Sequence, residues 1–273
     1  MKHNSMSSNE LSFNDLNDDI LVKIFEKLNL AELVGLGSVS KYLTDFIRNR
    51  SWSHLVVKLS DENKIEKAVK NYYFGNYEFV NSHADELTIK NINYCHTAKL
   101  FSCSKITDLC VSYFKQCHTI NLSGCINITD DCLENLTNCR SVTLYGCKNI
   151  TDDGLKYLSN CDTINVGNCQ NITDVGLNYL RTVHTVYLSN CIKITDNGLK
   201  HLAACHTVHL DGCTDLTDDG MQHLRKCRII NVSYCDKITD DGIKYLDNCY
   251  ILYAFACTNI TSEMKKNIRE KYM

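Results

Sequence analysis

The sequence predicts an α/β solenoid, a horseshoe-shaped stack of coils in which each coil contributes one short parallel strand and one short helix. Two series of cysteines recur every 22 residues and hold most of the 17 cysteines in the 273-residue chain. One series runs from Cys95 to Cys249, with Val183 at one position, and the other runs from Cys103 to Cys257. Within each period, an apolar pair at strand spacing is followed by apolar residues at helical spacing. A fixed period of this size indicates stacked supersecondary units, which work mainly by presenting extended surfaces.

Residues 11–54 carry a separate pattern of two or three short amphipathic helices. Apolar residues on one broad face of the first helix are followed by a second apolar series, which ends near Trp52. Asp18 and Asp19 lie in the first turn, where acidic side chains favour a helix start. Such a segment is too small to be stable alone, so it needs a partner or the neighbouring solenoid.

Residues 55–94 are predicted to form irregular opening coils that join the helical segment to the solenoid. Apolar alternation around Val57 indicates a first strand, and the spacing over 61–74 indicates a helix. Leu87 and Ile89 are predicted to lie in another strand. We expect these coils to cover the end of the solenoid, as terminal repeats commonly do.

Residues 95–257 are predicted to be repeats of period 22. The apolar pair of each repeat, such as Ile164 and Val166, has the period-2 spacing of a strand with one buried face. The segment from Ile150 to Leu158 then places Thr and Asp ahead of apolar residues at helical spacing, which is how a capped helix begins. One strand, one helix and one turn in 22 residues make a leucine-rich-repeat coil.

The regularly spaced cysteines have two competing interpretations. As small, soft apolar residues at the corners of each coil, they would pack in the core. Zinc ligation is the alternative, because Cys95, Cys117 and Cys205 are each followed by histidine. The chain has no Cys-x-x-Cys pair, and structural zinc sites usually draw on such pairs. We therefore expect packing, with no metal and no cofactor.

Composition argues against several other classes of protein. A formal net charge of −3 and a pI near 6.3 provide no basic field for nucleic acid. No apolar run approaches the roughly 18 residues of a membrane span. The first residues lack the apolar core of a signal peptide, so we expect a reducing compartment, cytoplasmic or nuclear, with free thiols. Residues 258–273 depart from the repeat, become charged and are predicted to form a closing cap.

The N-terminal pattern resembles an F-box. The family pattern opens with Leu-Pro-x-Glu-Ile-Leu, continues with Ile-Phe-x-x-Leu, and later carries Leu-x-x-Leu-x-x-Val and a Trp. This chain follows it in order from Leu16 to Trp52 and departs chiefly at Asn17, which stands at the proline position. The repeats carry the Cys-x-x-Ile-Thr-Asp-x-Gly-Leu signature of the cysteine-containing leucine-rich-repeat class. The whole chain therefore resembles an F-box/leucine-rich-repeat protein.

The resemblance implies a substrate-recognition subunit of a Skp-cullin-F-box-type ubiquitin ligase, without catalytic activity of its own. The F-box would bind a Skp-type adaptor, and through it a cullin, while the solenoid holds a target protein. The adaptor-binding residues implied are Leu16, Ile20, Leu21, Ile24, Phe25, Leu28, Leu33, Leu36 and Val39. The alternative is a stand-alone interaction scaffold whose N-terminal helices only cap the solenoid, an interpretation favoured by Asn17. An enzyme is the third hypothesis, but the sequence has no phosphate loop, His-Glu-x-x-His or nucleophile elbow.

The target is expected to bind the concave surface of the solenoid. Strand residues flanking the buried pair face that surface, and in this chain they vary freely from repeat to repeat. Large aromatic residues gather toward the C-terminal coils, and exposed aromatic side chains are typical anchors at interfaces. The predicted target-binding residues are Tyr145, Tyr187, His209, Asp211, Tyr234, Tyr253 and Phe255. For the last two, burial under the C-terminal cap is the alternative.

Overall fold

Ten parallel strands form one open sheet, in which each strand pairs with its neighbours in sequence order. The computed structural model describes residues 18–37, 40–48, 55–59, 75–79, 84, 86–90, 92 and 95–272. This singly wound sheet, with a short helix in each repeat, confirms the predicted solenoid. The strands are β1 (Val56–Leu59), β2 (Asn76–Phe79), β3 (Thr97–Lys99), β4 (Thr119–Asn121), β5 (Ser141–Thr143), β6 (Thr163–Asn165), β7 (Thr185–Tyr187), β8 (Thr207–His209), β9 (Ile229–Asn231) and β10 (Ile251–Tyr253).

Three short helices precede the sheet: α1 (Asp18–Phe25), α2 (Leu30–Gly37) and α3 (Lys41–Arg48). The start of α2 is a capping box. The Asn29 side chain accepts from the Glu32 N–H at 3.1 Å, and the Glu32 carboxylate accepts from the Asn29 N–H at 2.9 Å. Phe25 of α1 meets Phe46 of α3 edge to face, with ring centroids 5.7 Å apart. These contacts build a small apolar core between the helices.

Each repeat strand leads into a short helix that most often opens with an α-helical turn and closes with a 3₁₀ turn. A threonine side chain caps most of these helices: the Thr173 hydroxyl, for example, accepts from the Val175 N–H at 3.2 Å. The α-helical turns are α4 (Glu86–Ile89), α5 (Asp108–Val111), α6 (Asp152–Leu155), α7 (Asp174–Leu177), α8 (Asp196–Leu199), α9 (Asp218–Met221) and α10 (Asp240–Lys244). The 3₁₀ segments are Ser112–Phe114, Asp130–Leu136, Lys156–Leu158, Asn178–Leu180, Lys200–Leu202 and Gln222–Leu224.

The opening coils differ from the sequence prediction at one element. Leu87 and Ile89, predicted in a strand, lie in helix α4, so that prediction is wrong. Two apolar residues two positions apart form too short a pattern to separate a strand from a helical turn. The second strand is β2, which lies 21 residues before β3 in register, where Asn76 pairs with Thr97. The helix predicted over 61–74 lies outside the described residues.

The buried cysteines form part of the solenoid core. All 17 are free and buried. In the series from Cys103 to Cys257, each thiol after the first donates to a carbonyl oxygen of the preceding coil, as Cys147 does to Leu122 at 3.1 Å and Cys169 to Leu144 at 3.1 Å. A cysteine there fills an apolar corner and supplies a weak S–H donor to a buried carbonyl. This contact extends the packing role expected from the sequence.

Successive coils are also joined by a repeated Asp–Thr contact. The Asp152 carboxylate accepts from the Thr173 N–H at 2.8 Å and from the Thr173 hydroxyl at 2.6 Å. Equivalent pairs are Asp108 with Thr129, Asp130 with Thr151, Asp174 with Thr195, Asp196 with Thr217, Asp218 with Thr239 and Asp240 with Thr261. Each threonine thus caps its own helix and is bound by the aspartate of the preceding helix. The Ile-Thr-Asp motif of the repeat follows from this double role.

The C-terminal region beyond β10 holds one longer helix, α11 (Ser262–Tyr272). Ile268 is buried and Met264 packs partly against the core. The Lys271 ammonium donates to the Asp247 carbonyl oxygen at 2.7 Å, which ties the end of the helix to the last repeat. Helix α11 therefore covers apolar surface in the region predicted as a closing cap.

Candidate protein-interaction surfaces

The first candidate surface is the outer face of α1. Ile20 and Ile24, one helical turn apart, are 46% and 37% exposed. Tyr42 of α3 donates its hydroxyl to the Asp18 carboxylate at 3.1 Å, which holds the first turn of α1 against α3. Two branched apolar side chains exposed on one helix face form an anchor of the kind that partner proteins bind.

The residues predicted to bind an adaptor are divided by this structure. Leu21, Phe25 and Leu33 are fully buried among the helices, and Leu28 and Leu36 are half-buried. The broad apolar face predicted for α1 is thus partly used for the internal core. Of the described residues in the predicted set, Ile20 and Ile24 present the most surface to a partner. Leu16 and Val39 lie outside the described residues, as does Trp52.

The second candidate surface is the concave side of the sheet. Strand pairing places residues 22 positions apart next to one another, so that Tyr187 pairs with His209 and His209 with Asn231. We call the central set of strand residues on this side of the sheet the middle row. It consists of Lys99, Asn121, Thr143, Asn165, Tyr187, His209, Asn231 and Tyr253. Because parallel strands lie about 4.8 Å apart, side chains in this row can stack directly.

Tyr187 and His209 stack in the middle row. Their ring centroids are 4.4 Å apart and their planes differ by 14°. Burial lowers the pKa of His209, and the nearby Asp211 carboxylate offsets this only in part. The imidazole is therefore neutral near pH 7, and it forms with Tyr187 a flat aromatic surface of fixed orientation.

Asp211 lies beside this stack and is held by polar neighbours. Its Oδ1 accepts from the Ser189 hydroxyl at 2.8 Å and from the Asn231 amide at 3.1 Å. Asn231 in turn accepts from the Ser233 N–H at 3.0 Å. Because these contacts fix a half-buried carboxylate, the surface offers a partner an oriented acceptor next to an aromatic platform.

Tyr234 is exposed and sits on a strained backbone. One residue in each coil, just before a cysteine, has a left-handed conformation: Ser102, Gly124, Gly146, Asn168, Asn190, Gly212, Tyr234 and Ala256. Tyr234, with φ of 61°, is the bulkiest of them, and 61% of it is exposed. A large side chain is uncommon in this conformation, which glycine and asparagine adopt more readily.

The remaining predicted target-binding residues border the same surface. Tyr145 is 40% exposed, and a Cβ at the neighbouring Gly167 would come within 2.9 Å of its ring. Gly167 thus leaves room for the tyrosine. Phe255 is 48% exposed and Tyr253 half-buried, with ring centroids 6.0 Å apart. Both also line a cavity beside α11, so the cap covers Tyr253 in part and leaves Phe255 open.

The sequence treated the histidines after the first cysteine series only as zinc candidates, and it missed a second row of side chains. His96 stacks on His118 at 4.5 Å, and His184 on His206 at 4.6 Å. The Arg228 guanidinium lies over the ring of Tyr250 at 5.1 Å. The 22-residue spacing between His96 and His118 and between His184 and His206 was the available signal, because equal spacing places these residues in adjacent coils.

Two absences concern the described part of the chain. Within it, no group of three or more His, Cys, Asp or Glu side chains is placed to hold a metal ion. None of the described helices combines the length and the apolar character that crossing a membrane requires.

Comparison with known families matches two parts of the chain. The family model of the F-box domain matches residues 13–55, and that of the leucine-rich repeat matches residues 223–246. Among curated proteins, none matches the chain by sequence. An F-box followed by leucine-rich repeats defines the class, and this chain is an F-box/leucine-rich-repeat protein.

Solved structures share the fold. A chain of the Rad7 and Elc1 complex in yeast has a TM-score of 0.62 and 16% identity, with 87% of this chain and 69% of that chain covered. A chain of the TLR13–ssRNA13 complex has a TM-score of 0.57 and 14% identity, with 80% of this chain and 37% of that chain covered. An internalin (inlF) of Listeria monocytogenes has a TM-score of 0.50 and 17% identity, with 80% of this chain and 78% of that chain covered. At such identities, the likeness establishes the solenoid fold alone.

Proposed function

We propose that this protein is the substrate-recognition subunit of a Skp-cullin-F-box-type ubiquitin ligase. The observation that carries the proposal is the presence of an F-box at residues 13–55 on the same chain as a solenoid with an aromatic concave surface. The F-box binds a Skp-type adaptor, and through it a cullin. The concave surface holds the target protein.

The chain contributes proximity rather than covalent chemistry. Two binding sites on one chain raise the effective concentration of target lysines near the ubiquitin-charged enzyme. The 17 buried, free thiols fit a cytoplasmic or nuclear compartment, where cysteines stay reduced. Burial raises the pKa of most of these thiols, as for Cys205 to about 11, which makes such thiols poor nucleophiles near pH 7.

The target is expected to contact the C-terminal half of the concave surface. The Tyr187–His209 stack and the Asp211 carboxylate are already oriented, so binding a target there loses little side-chain entropy. Tyr234 and Phe255 add exposed aromatic surface in the following coils. Aromatic anchors around one fixed acceptor are typical of binding hot spots.

Co-purification with a Skp-type adaptor tests the adaptor half of the proposal. The informative variant is Ile20→Asp/Ile24→Asp, because these side chains are exposed and the substitutions place charge on the docking face. Lys23→Asp/Lys27→Asp is the matched control, since it adds the same residue type at exposed polar positions. We expect the wild type and the control to form a stoichiometric complex, and the isoleucine variant to stay folded and unbound.

The alternative is a stand-alone leucine-rich-repeat scaffold whose N-terminal helices serve a structural role. The burial of Leu21, Phe25 and Leu33 within the chain favours it, because these residues would then have no further partner to meet. A monomeric wild type that ignores the adaptor would establish this alternative. An isoleucine variant that binds the adaptor normally would instead place adaptor binding outside the α1 surface.

A further inference from the structure

The outer edge of β10 carries backbone donors without acceptors. In the preceding coil, the Val232 N–H donates to the carbonyl oxygen of Tyr253 at 2.8 Å, and Tyr234 donates in the same way to the next coil. The equivalent donors of the last coil are Ala254 and Ala256. Neither has a hydrogen-bond acceptor among the residues that the structure describes. β10 is also the last strand of the described sheet, so no described strand pairs with this edge.

A cavity of about 150 Å³ lies along this edge, between the end of β10 and helix α11. Its strand wall is formed by residues 252–256 and its helix wall by Lys265, Ile268 and Arg269. An apolar cavity of about this volume is large enough to hold a benzene ring. The cavity therefore has room for one apolar side chain, placed directly beside the two open backbone donors.

Two cations border the cavity without a direct ion pair. Lys265 is half-buried and Arg269 exposed, and neither lies within ion-pair distance of a carboxylate among the described residues. Hydrogen bonds from Thr258 and Thr261 are the main cause that lowers the pKa values of Asp236 and Asp240, and the charge of Lys265 adds to this at longer range. Both carboxylates already accept hydrogen bonds from threonines of the next coil. No acidic side chain lines the cavity, so its charge is complementary to an anionic ligand.

We propose that this edge binds an extended, acidic peptide segment of a partner protein, which adds an eleventh strand to the sheet. The peptide carbonyls accept from Ala254 and Ala256, and one apolar side chain fills the cavity. Alternate residues of a strand share a face, so acidic side chains two positions to either side point toward Lys265 and Arg269. This surface is distinct from the docking face of α1 and needs no adaptor.

Fluorescence anisotropy with a labelled peptide tests the proposal directly. The probe has capped termini and the sequence Glu-Val-Phe-Val-Glu, which places both carboxylates on the face of the phenylalanine. We expect saturable binding to the full-length chain at low ionic strength. Lys265→Glu or Arg269→Glu should weaken binding about tenfold. Lys266→Glu, a charge reversal on the same helix outside the cavity, should leave it unchanged.

Two altered peptides separate strand addition from simple charge attraction. A peptide with Lys in place of Glu should not bind. A peptide with N-methylated backbone amides should bind at least tenfold more weakly, since strand pairing also requires the peptide N–H groups as donors. Thermal melting of each protein variant checks that α11 stays folded.

Three results would overturn the proposal. They are the absence of saturable binding to the wild type, an equal loss in Lys266→Glu, and undiminished binding of the N-methylated peptide. A wild-type dimer in sedimentation that Arg269→Glu disperses would assign the edge to a second copy of this chain instead. Since the assay contains no adaptor, its failure would leave the ligase proposal unaffected.

Discussion

Single residues of this solenoid satisfy two constraints at once, the backbone of their own coil and the side chains of the coil before. The left-handed position illustrates the first constraint. Gly146 and Asn168 occupy it with φ of 71° and 57°, as such residues do readily, whereas Tyr234 occupies it at 61°. The sequence marked Tyr234 as an aromatic near the C-terminal strands, but its strain became visible only in the backbone.

Replacing this tyrosine by glycine is expected to stabilise the fold. Tyr234→Gly removes the steric conflict of the left-handed conformation and should raise the free energy of unfolding by about 1 kcal/mol. Urea denaturation measures it. The control is Tyr245→Gly at an exposed tyrosine with φ of −66°, where glycine should lower stability by about 0.5–1 kcal/mol. A loss of stability in Tyr234→Gly would show that the ring's packing outweighs the strain.

At the scale of the elements, the short helices are positioned by the contacts between coils. The capping threonine of one helix is bound by the aspartate of the preceding helix, as Thr173 is by Asp152. The glycine of each helix faces the same aspartate, because a Cβ on Gly176 would collide with the Asp152 carboxylate. Cys132 replaces the glycine in a helix that is 3₁₀ throughout, from Asp130 to Leu136, whereas Cys110 replaces it in the α-helical turn α5. The sequence shows a glycine recurring at this position, but it does not show which group contacts it.

Gly176→Ala tests this close approach. We expect the added methyl group to lower the free energy of unfolding by about 1–3 kcal/mol, because the stacked coils must move apart. Chemical denaturation of the single and double variants measures it. In the background of Asp152→Ala, the same substitution should lower the free energy of unfolding by less than half as much, since the colliding carboxylate is absent. Equal losses in both backgrounds would assign the glycine to helix geometry alone.

Helix α1 shows the limit of pattern analysis at this scale. Its apolar residues share one broad face, yet Leu21 and Phe25 are buried while Ile20 and Ile24 are exposed. The division depends on where α3 packs, and Phe46 determines it by contacting Phe25. A hydrophobic pattern predicts that a helix face is buried, but it does not say whether residues of the same chain or of a partner bury it.

At the scale of the whole molecule, the cysteines give the solenoid a continuous, buried series of thiols. Burial raises the pKa of Cys169 and Cys191 each to about 12. A thiol in the unfolded chain ionises near pH 8.5, about where free cysteine does. As the pH rises from about 8.5 toward 12, the unfolded chain loses thiol protons that the folded chain keeps. This contribution to stability is therefore complete below about pH 8.5 and is lost as the pH rises through that window.

Alkaline unfolding measures this linkage. Above pH 9, each such thiol should lower the free energy of unfolding by up to about 1.4 kcal/mol per pH unit. Urea denaturation from pH 7 to 10.5 should show the decline, with reductant present throughout. Cys169→Ala, which removes one thiol, should reduce the slope by about that amount. A slope identical to the wild type would mean that the Cys169 thiol ionises equally in both states.

The structure of the repeats can be predicted from the sequence alone. A 22-residue period, an apolar pair and a capped helix start are local or periodic signals, and they predict the same coil each time. The F-box was likewise found from its apolar order, and the family match at residues 13–55 agrees. Local patterns also placed Tyr187 and His209 on one surface, because equal spacing puts them on adjacent strands.

The exposure and the contacts of the residues on these surfaces depend on tertiary packing. It buried Leu21 and Phe25, stacked Tyr187 on His209, and opened a cavity between β10 and α11. Each of these depends on side chains from elements distant in sequence or on the end of the repeat, where no periodic rule applies. The physical reason is that packing fills the space left by neighbouring elements, and a one-dimensional pattern carries no measure of that space.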